Sequence, residues 1–228
     1  MPNSKMKSGR TAILLGATGL VGGHCLELLL RDDDYYKVVS LGRRKTARED
    51  AKLEEHVVDF ERLEDYSELL RGNDLFCCLG TTIKKAGSQA AFRQIDFTYV
   101  TESARIASEN GTEQCLLVSA LGADPRSSVF YNRTKGEVKE QVAKLPFHGA
   151  QIFRPSLLLG ERAEFRLGER VAEKVMKVFS FLLVGSLKKY RPVHARTVAE
   201  AMIKVAKQQP AGVNVFESDR IVEIALGN

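Results

Sequence analysis

A chain of 228 residues, 44% hydrophobic and 28% charged, has ample apolar surface for a buried core, which excludes a disordered or fibrous protein. Its net charge of +5 favours anionic ligands, yet the basic residues are scattered, with no long basic tract and no zinc-finger spacing, so no nucleic acid is expected as partner. No apolar run reaches the ~18 residues of a membrane span, so no integral membrane segment is expected either.

In chain order, "TAILLG" (11–16) reads as a first strand and Leu20 to about Arg31 as an amphipathic helix. "KVVSLG" (37–42) is a second strand and "EHVVDF" (55–60) a third, leading into "ERLEDYSELLRG". "DLFCCLG" (74–80) is a fourth strand, followed by a long helical stretch over 88–111. "QCLLVSA" (114–120) is a fifth strand, Tyr131 to about Lys144 a helix, and "GAQIFRPS" (149–156) a sixth strand. The pattern changes after Pro155: a helix over Glu169 to about Leu183, another over Arg196 to Lys207, a short strand "VNVFE" and a last helix. The strands are apolar nearly throughout, which suits parallel strands buried on both faces. Alternation with helices implies right-handed βαβ units. The expectation is an α/β fold: one domain over 1–228, a doubly wound parallel sheet flanked by helices, with a small C-terminal cap from about 157–190 and 218–228.

Cys25, Cys77, Cys78 and Cys115 form no CxxC pair, and three lie in apolar runs. They read as reduced, buried thiols of a cytoplasmic protein, with no metal site.

The stretch "LLGATGLVGGH" spaces Gly16, Gly19 and Gly22 as GxxGxxG between a strand and a helix. Glycine allows a tight turn and close approach of a pyrophosphate, and the helix start offers free N–H groups and positive charge. The spacing differs from the commoner GxGxxG. An acidic residue closing the second strand would bind the ribose hydroxyls of NAD. Here that strand ends "SLGRRK", with Arg43 twenty-one residues beyond Gly22. A planar guanidinium grips a phosphate and stacks on adenine, and Arg44 is placed to assist. The expected cofactor is therefore NADP(H), with NAD(H) less favoured.

With these motifs the chain resembles the short-chain dehydrogenase/reductase superfamily, in its atypical and extended branches, over nearly its whole length. "GATGLVG" is similar to the glycine motif, adding Thr18, Leu20 and Val21 to the loop. "VVDF" is similar to the segment whose acid contacts adenine, here Asp59. "CLGTT" resembles the cofactor-lining loop, with Leu79, Gly80 and Thr81 as contacts. "LLVSALGA" carries a strand-end serine, Ser119, and "YNRTK" resembles the YxxxK pair, Tyr131 and Lys135. "IFRPSLLLG" resembles the segment flanking the nicotinamide, with Pro155 and Leu157 nearest. "LGRRK", "CCLGTT", "VSALGAD" and "YNRTKGEVK" narrow the match to the small oxidoreductase-like group that includes the Tat-interactive protein. The resemblance implies a Rossmann-type fold that binds NADP(H).

Residues four apart share a helix face, so Tyr131 and Lys135 point together. The resemblance gives them catalytic roles with Ser119: Tyr131 exchanges a proton with a carbonyl or alcohol, Lys135 supports the phenolate and holds the ribose, and Ser119 polarises the substrate oxygen. Asp96 and Tyr99 on the long helix are weaker candidates as support for the lysine, as are His194, Lys84 and Lys85. The interval from Ser119 to Tyr131 is 12 residues, slightly short of the superfamily's usual spacing, so "LGADPRSSVF" must fold tightly.

Two functions compete. One is an NADP(H)-dependent oxidoreductase acting on a small carbonyl or alcohol. The other is a catalytically weak, cofactor-binding regulatory or scaffold protein. A third idea, lipid association through "RVAEKVMKVFSFLLVGSLKKY", competes with a cap helix packed on the sheet or on a second subunit. A homodimer is compatible with the sequence.

Overall fold

The computed structural model describes residues 9–160 and 184–227. Seven parallel strands form one sheet: β1 (Arg10–Leu15), β2 (Tyr35–Gly42), β3 (Leu53–Val57), β4 (Asp74–Cys77), β5 (Gln114–Val118), β6 (Gly149–Arg154) and β9 (Gly212–Glu217). Their order across the sheet is β3-β2-β1-β4-β5-β6-β9, while β7 (Leu158–Leu159) and β8 (Val193–His194) pair separately. This is the expected doubly wound Rossmann-type sheet, with its order reversing between β1 and β4. Ligands of such sheets bind beyond the carboxyl ends at that reversal.

The reason the strands read as unbroken apolar runs is visible in the packing. Ala12 and Leu14 of β1 face one layer with Phe76, Leu116 and Phe153, under α1 (Leu20–Arg31), α6 (Ala195–Gln208) and α7 (Ser218–Leu226). Ile13 and Leu15 face the other, with Leu75, Leu117 and Ile152. That layer is closed by a 3-10 segment (Phe60–Leu70), α4 (Tyr99–Glu109) and α5 (Phe130–Ala143). Alternate side chains thus leave by opposite faces into two apolar layers. Cys25 lies in the first layer and Cys77 and Cys115 in the second, all fully buried.

At the amino ends of the central strands, Arg10 donates to both oxygens of the buried Asp74 at 2.8 and 2.6 Å. The Tyr35 hydroxyl donates to the same carboxylate at 2.8 Å, tying β1, β2 and β4 together. Burial, with the Asp74 charge behind it, pushes the Tyr35 phenol far above its usual range, so it serves only as a donor.

Several boundaries differ from the sequence reading. β3 ends at Val57, and Asp59 instead caps the 3-10 segment, its side chain accepting from the Glu61 amide at 3.0 Å. β4 stops at Cys77, so residues 78–82 turn into the loop above the sheet before a short α2 (Ile83–Ala86). The long helix is interrupted: α3 (Gln89–Arg93) passes through a π-turn at Gln94–Thr98 before α4. The helix expected from Glu169, most of the proposed cap and most of the amphipathic stretch lie outside the described residues. Among those described, no helix is long and apolar enough to cross a membrane.

Candidate functional site

The first helix presses unusually close to the loop it follows. Gly16 has φ +83°, and a Cβ there would lie 2.5 Å from the Cys78 carbonyl oxygen. A Cβ on Gly22 would lie 2.1 Å from the carbonyl oxygen of Gly16. The Gly19 amide donates to that same carbonyl at 2.8 Å, closing the turn. Gly19 also caps α1 with no side-chain hydrogen bond, and the first turn carries no acid. Its N–H groups and dipole are therefore available to an anion.

A cavity of about 820 Å³ opens over this loop. It runs from α1 and the segment after β2 to the ends of β4 and β5 and the first turns of α5. That volume lies within the range of small-molecule and cofactor sites.

Ser119, Tyr131 and Lys135 all line this cavity. Ser119 follows β5, held by its amide donating to the Phe153 carbonyl at 2.7 Å. Its hydroxyl is buried with no hydrogen-bond partner, poised for a ligand oxygen. The Tyr131 ring is braced by Phe92, ring centroids 5.4 Å apart. Lys135 is buried and its ammonium lies 2.7 Å from Asp96, which is wholly buried in the π-turn. Burial alone lowers the lysine's pKa, but Asp96, and after it Tyr131, outweigh that and hold it above the ordinary value. The second Asp96 oxygen accepts from the Thr81 amide at 2.8 Å.

The short interval from Ser119 to Tyr131 is accommodated by another glycine. The Asp124 amide donates to the Asn132 carbonyl, laying the loop back along α5. It crosses at Gly136, where a Cβ would meet the backbone of Asp124 and Pro125 at 2.2 Å. Gly136→Ala is therefore expected to destabilise the fold by about 3 kcal/mol, measured by denaturant unfolding, and to separate the two hydroxyls.

The structure brings most of the sequence-predicted residues to this cavity. Thr18, Gly19, Leu20 and Val21 line it from the loop and α1, and Leu79, Gly80 and Thr81 from the turn after β4. Arg44 lines it after β2, but Arg43 is exposed and off the lining. Gly16 and Gly22 shape the cradle from behind. Asp59 is a helix cap outside the lining. Pro155 accepts from the Leu121 amide at 2.9 Å, and Leu157 points to solvent at 46% exposure, leaving Leu158 on the wall. His194 is the exposed N-cap of α6, Lys84 lies on exposed α2, and Tyr99 tilts against Phe60. Among the described residues no His, Cys, Asp and Glu group could hold a metal.

Sequence reasoning passed over His24 and Glu27, which line the cavity from the Leu20 face of α1. Their three- and four-residue spacing was the available signal. Glu27 faces Arg48 at 3.9 Å, Arg196 at 3.6 Å and Arg31 at 3.1 Å.

A family model described as NAD(P)H-binding matches residues 16–147. Protein HTATIP2 of Rattus norvegicus is 41% identical over 169 residues, covering 72% of this chain and 69% of that one. The mitochondrial protein FMP52 of Candida albicans is 32% identical over 219 residues, 93% of each chain. In fold, the chain is similar to MoeE5 in complex with UDP-glucose and NAD, at TM-score 0.69, 14% identity, and coverage of 95% and 81%. These findings bear out the resemblance to the dehydrogenase/reductase superfamily and to the group of the Tat-interactive protein.

Two expectations are corrected. The preference for NADP(H) over NAD(H) is overturned, because MoeE5 and further solved neighbours in fold hold NAD. The structure leaves Arg43 exposed and off the cavity lining, which Arg44 reaches. The cytoplasmic expectation is overturned by the fungal relatives, which are mitochondrial proteins. Free buried thiols report burial and reduction, not compartment.

Proposed function

Starting from a chain that belongs to the NAD(P)H-binding family, within the extended short-chain dehydrogenase/reductase superfamily, we propose an NAD(H)-binding protein of weak catalytic power, serving a regulatory or scaffold role in a mitochondrial setting. One observation carries the weakness: the Lys135 ammonium sits 2.7 Å from the buried Asp96 carboxylate, so its charge is shared before it can support a tyrosinate. The glycine cradle supports the binding. The open N–H groups of α1 would take the diphosphate, and Lys135 would reach the nicotinamide ribose.

A second reading, an oxidoreductase acting on a small carbonyl or alcohol, is favoured by the unpartnered Ser119 hydroxyl in a cavity that Tyr131 also lines. A bound nicotinamide would supply or accept the hydride in that chemistry. Ser119 would hold the substrate oxygen and Tyr131 would donate or remove its proton. The π-turn helix and α5 keep these groups on rigid elements.

Titration of the purified protein with NADH and with NAD+, followed by fluorescence and calorimetry, tests the shared premise. Saturable binding is expected, and refusal of both redox forms would remove both readings. A screen of aldehydes, ketones and quinones for NADH loss then separates them. Binding without consumption supports the first, and steady turnover the second.

A further inference from the structure

We propose that Asp96 sets the balance between oxidised and reduced dinucleotide by cancelling, at contact distance, the positive charge that Lys135 brings to the Ser119 end of the cavity. This rests on the reading of the cavity as an NAD(H) site.

The π-turn at Gln94–Thr98 widens one turn of the helix and carries Asp96, at 0% exposure, to the cavity wall. Such widened turns recur at functional positions. Asp96 is locked there from both sides. One oxygen takes the Thr81 amide and the other lies 2.7 Å from the Lys135 ammonium. The pair lies directly under the cavity floor. A Cβ built on Gly80, which lines the cavity, would stand 3.4 Å from the Asp96 oxygen and 3.7 Å from the Lys135 nitrogen.

The titratable groups acting on Lys135 here are Asp96, Tyr131 and Cys77. Burial pushes the Cys77 thiol up to about 12, so it is neutral at physiological pH. The oxidised nicotinamide ring carries a positive charge that the reduced ring lacks. Beside a bare, buried ammonium that charge is repelled and the reduced form is selected. Beside an ion pair of zero net charge, the oxidised ring meets only a dipole. Asp96 thereby keeps the oxidised form admissible, so occupancy follows the total dinucleotide pool more than its redox state.

The test compares dissociation constants of NAD+ and NADH near neutral pH for three proteins. Asp96→Asn keeps the shape and the acceptor for Thr81 while exposing the lysine charge. Its ratio of the NAD+ constant to the NADH constant is expected to rise about 10-fold or more over wild type. In Asp96→Asn with Lys135→Met, both constants weaken together and the ratio returns to the wild-type value. A ratio in Asp96→Asn within about 2-fold of wild type, with both forms binding, overturns the proposal and leaves the dinucleotide reading standing. If the single variant does not fold because its lysine is buried unpaired, the double variant decides, and a ratio displaced about 10-fold there overturns it. Refusal of both ligands by wild type defeats the dinucleotide reading and this proposal together.

Discussion

Gly22→Ala is expected to abolish dinucleotide binding and to cost about 3 kcal/mol of stability. The added methyl would stand 2.1 Å from the Gly16 carbonyl oxygen and 2.7 Å from its carbon, well inside contact distance. Neither partner is a flexible side chain. Gly16 sits at φ +83° with its own Cβ position 2.5 Å from the Cys78 carbonyl, so the loop cannot retreat towards β4. Relief comes only by tilting α1 outward, which opens the cradle and withdraws the helix's own Cys25, Leu26 and Leu29 from the core. The neighbouring Gly23 is the control. A Cβ there meets only the Ala17 carbonyl oxygen at an ordinary 3.5 Å, so Gly23→Ala should keep or slightly raise stability, as alanine does in helices. Urea unfolding with NADH fluorescence reads both effects. Wild-type affinity in Gly22→Ala would show that the diphosphate does not rest on this loop.

Tyr131→Phe is expected to lower any carbonyl reduction by about 10²–10⁴-fold while leaving NADH affinity near wild type. The split follows from the geometry. The ring is braced against Phe92 and keeps its packing when only the hydroxyl is lost. Proton transfer, by contrast, has no substitute donor of matching position in that cavity: Ser119 is placed to hydrogen-bond the substrate oxygen and Lys135 is engaged by Asp96. Rates should be compared at saturating NADH with the most reactive carbonyl found. Equal rates in the two proteins would show that Tyr131 handles no proton, and would leave the regulatory reading alone in the field.

The strands and their parallel order were legible because burial on both faces leaves unbroken apolar runs such as "AILL" and "LFC". The glycine cradle and the Ser119, Tyr131 and Lys135 positions were legible because local spacing fixes which residues share a strand end or a helix face. Asp96 was legible only as a weaker candidate to support the lysine, one polar residue on a long helix. Its contact with Lys135 depends on a π-turn, and periodicity reasoning assumes 3.6 residues per turn. Asp59 and Leu157 were misplaced for a related reason: a motif gives the residue's neighbourhood, but the backbone at β3 and beyond β6 decides which way it faces. Glu27 of α1 meets Arg48 of the loop after β2, which no local periodicity announces.

The sealed thiols make this protein its own unfolding reporter. Cys25, Cys77 and Cys115 have no solvent-accessible surface, and burial holds Cys77 and Cys115 as protonated, unreactive thiols. An alkylating reagent reaches them only when the helices lift from the sheet. Because Cys25 lies on the buried face of α1 and the other two on strands facing the opposite layer, mass-resolved alkylation would time the opening of each side of the sheet separately.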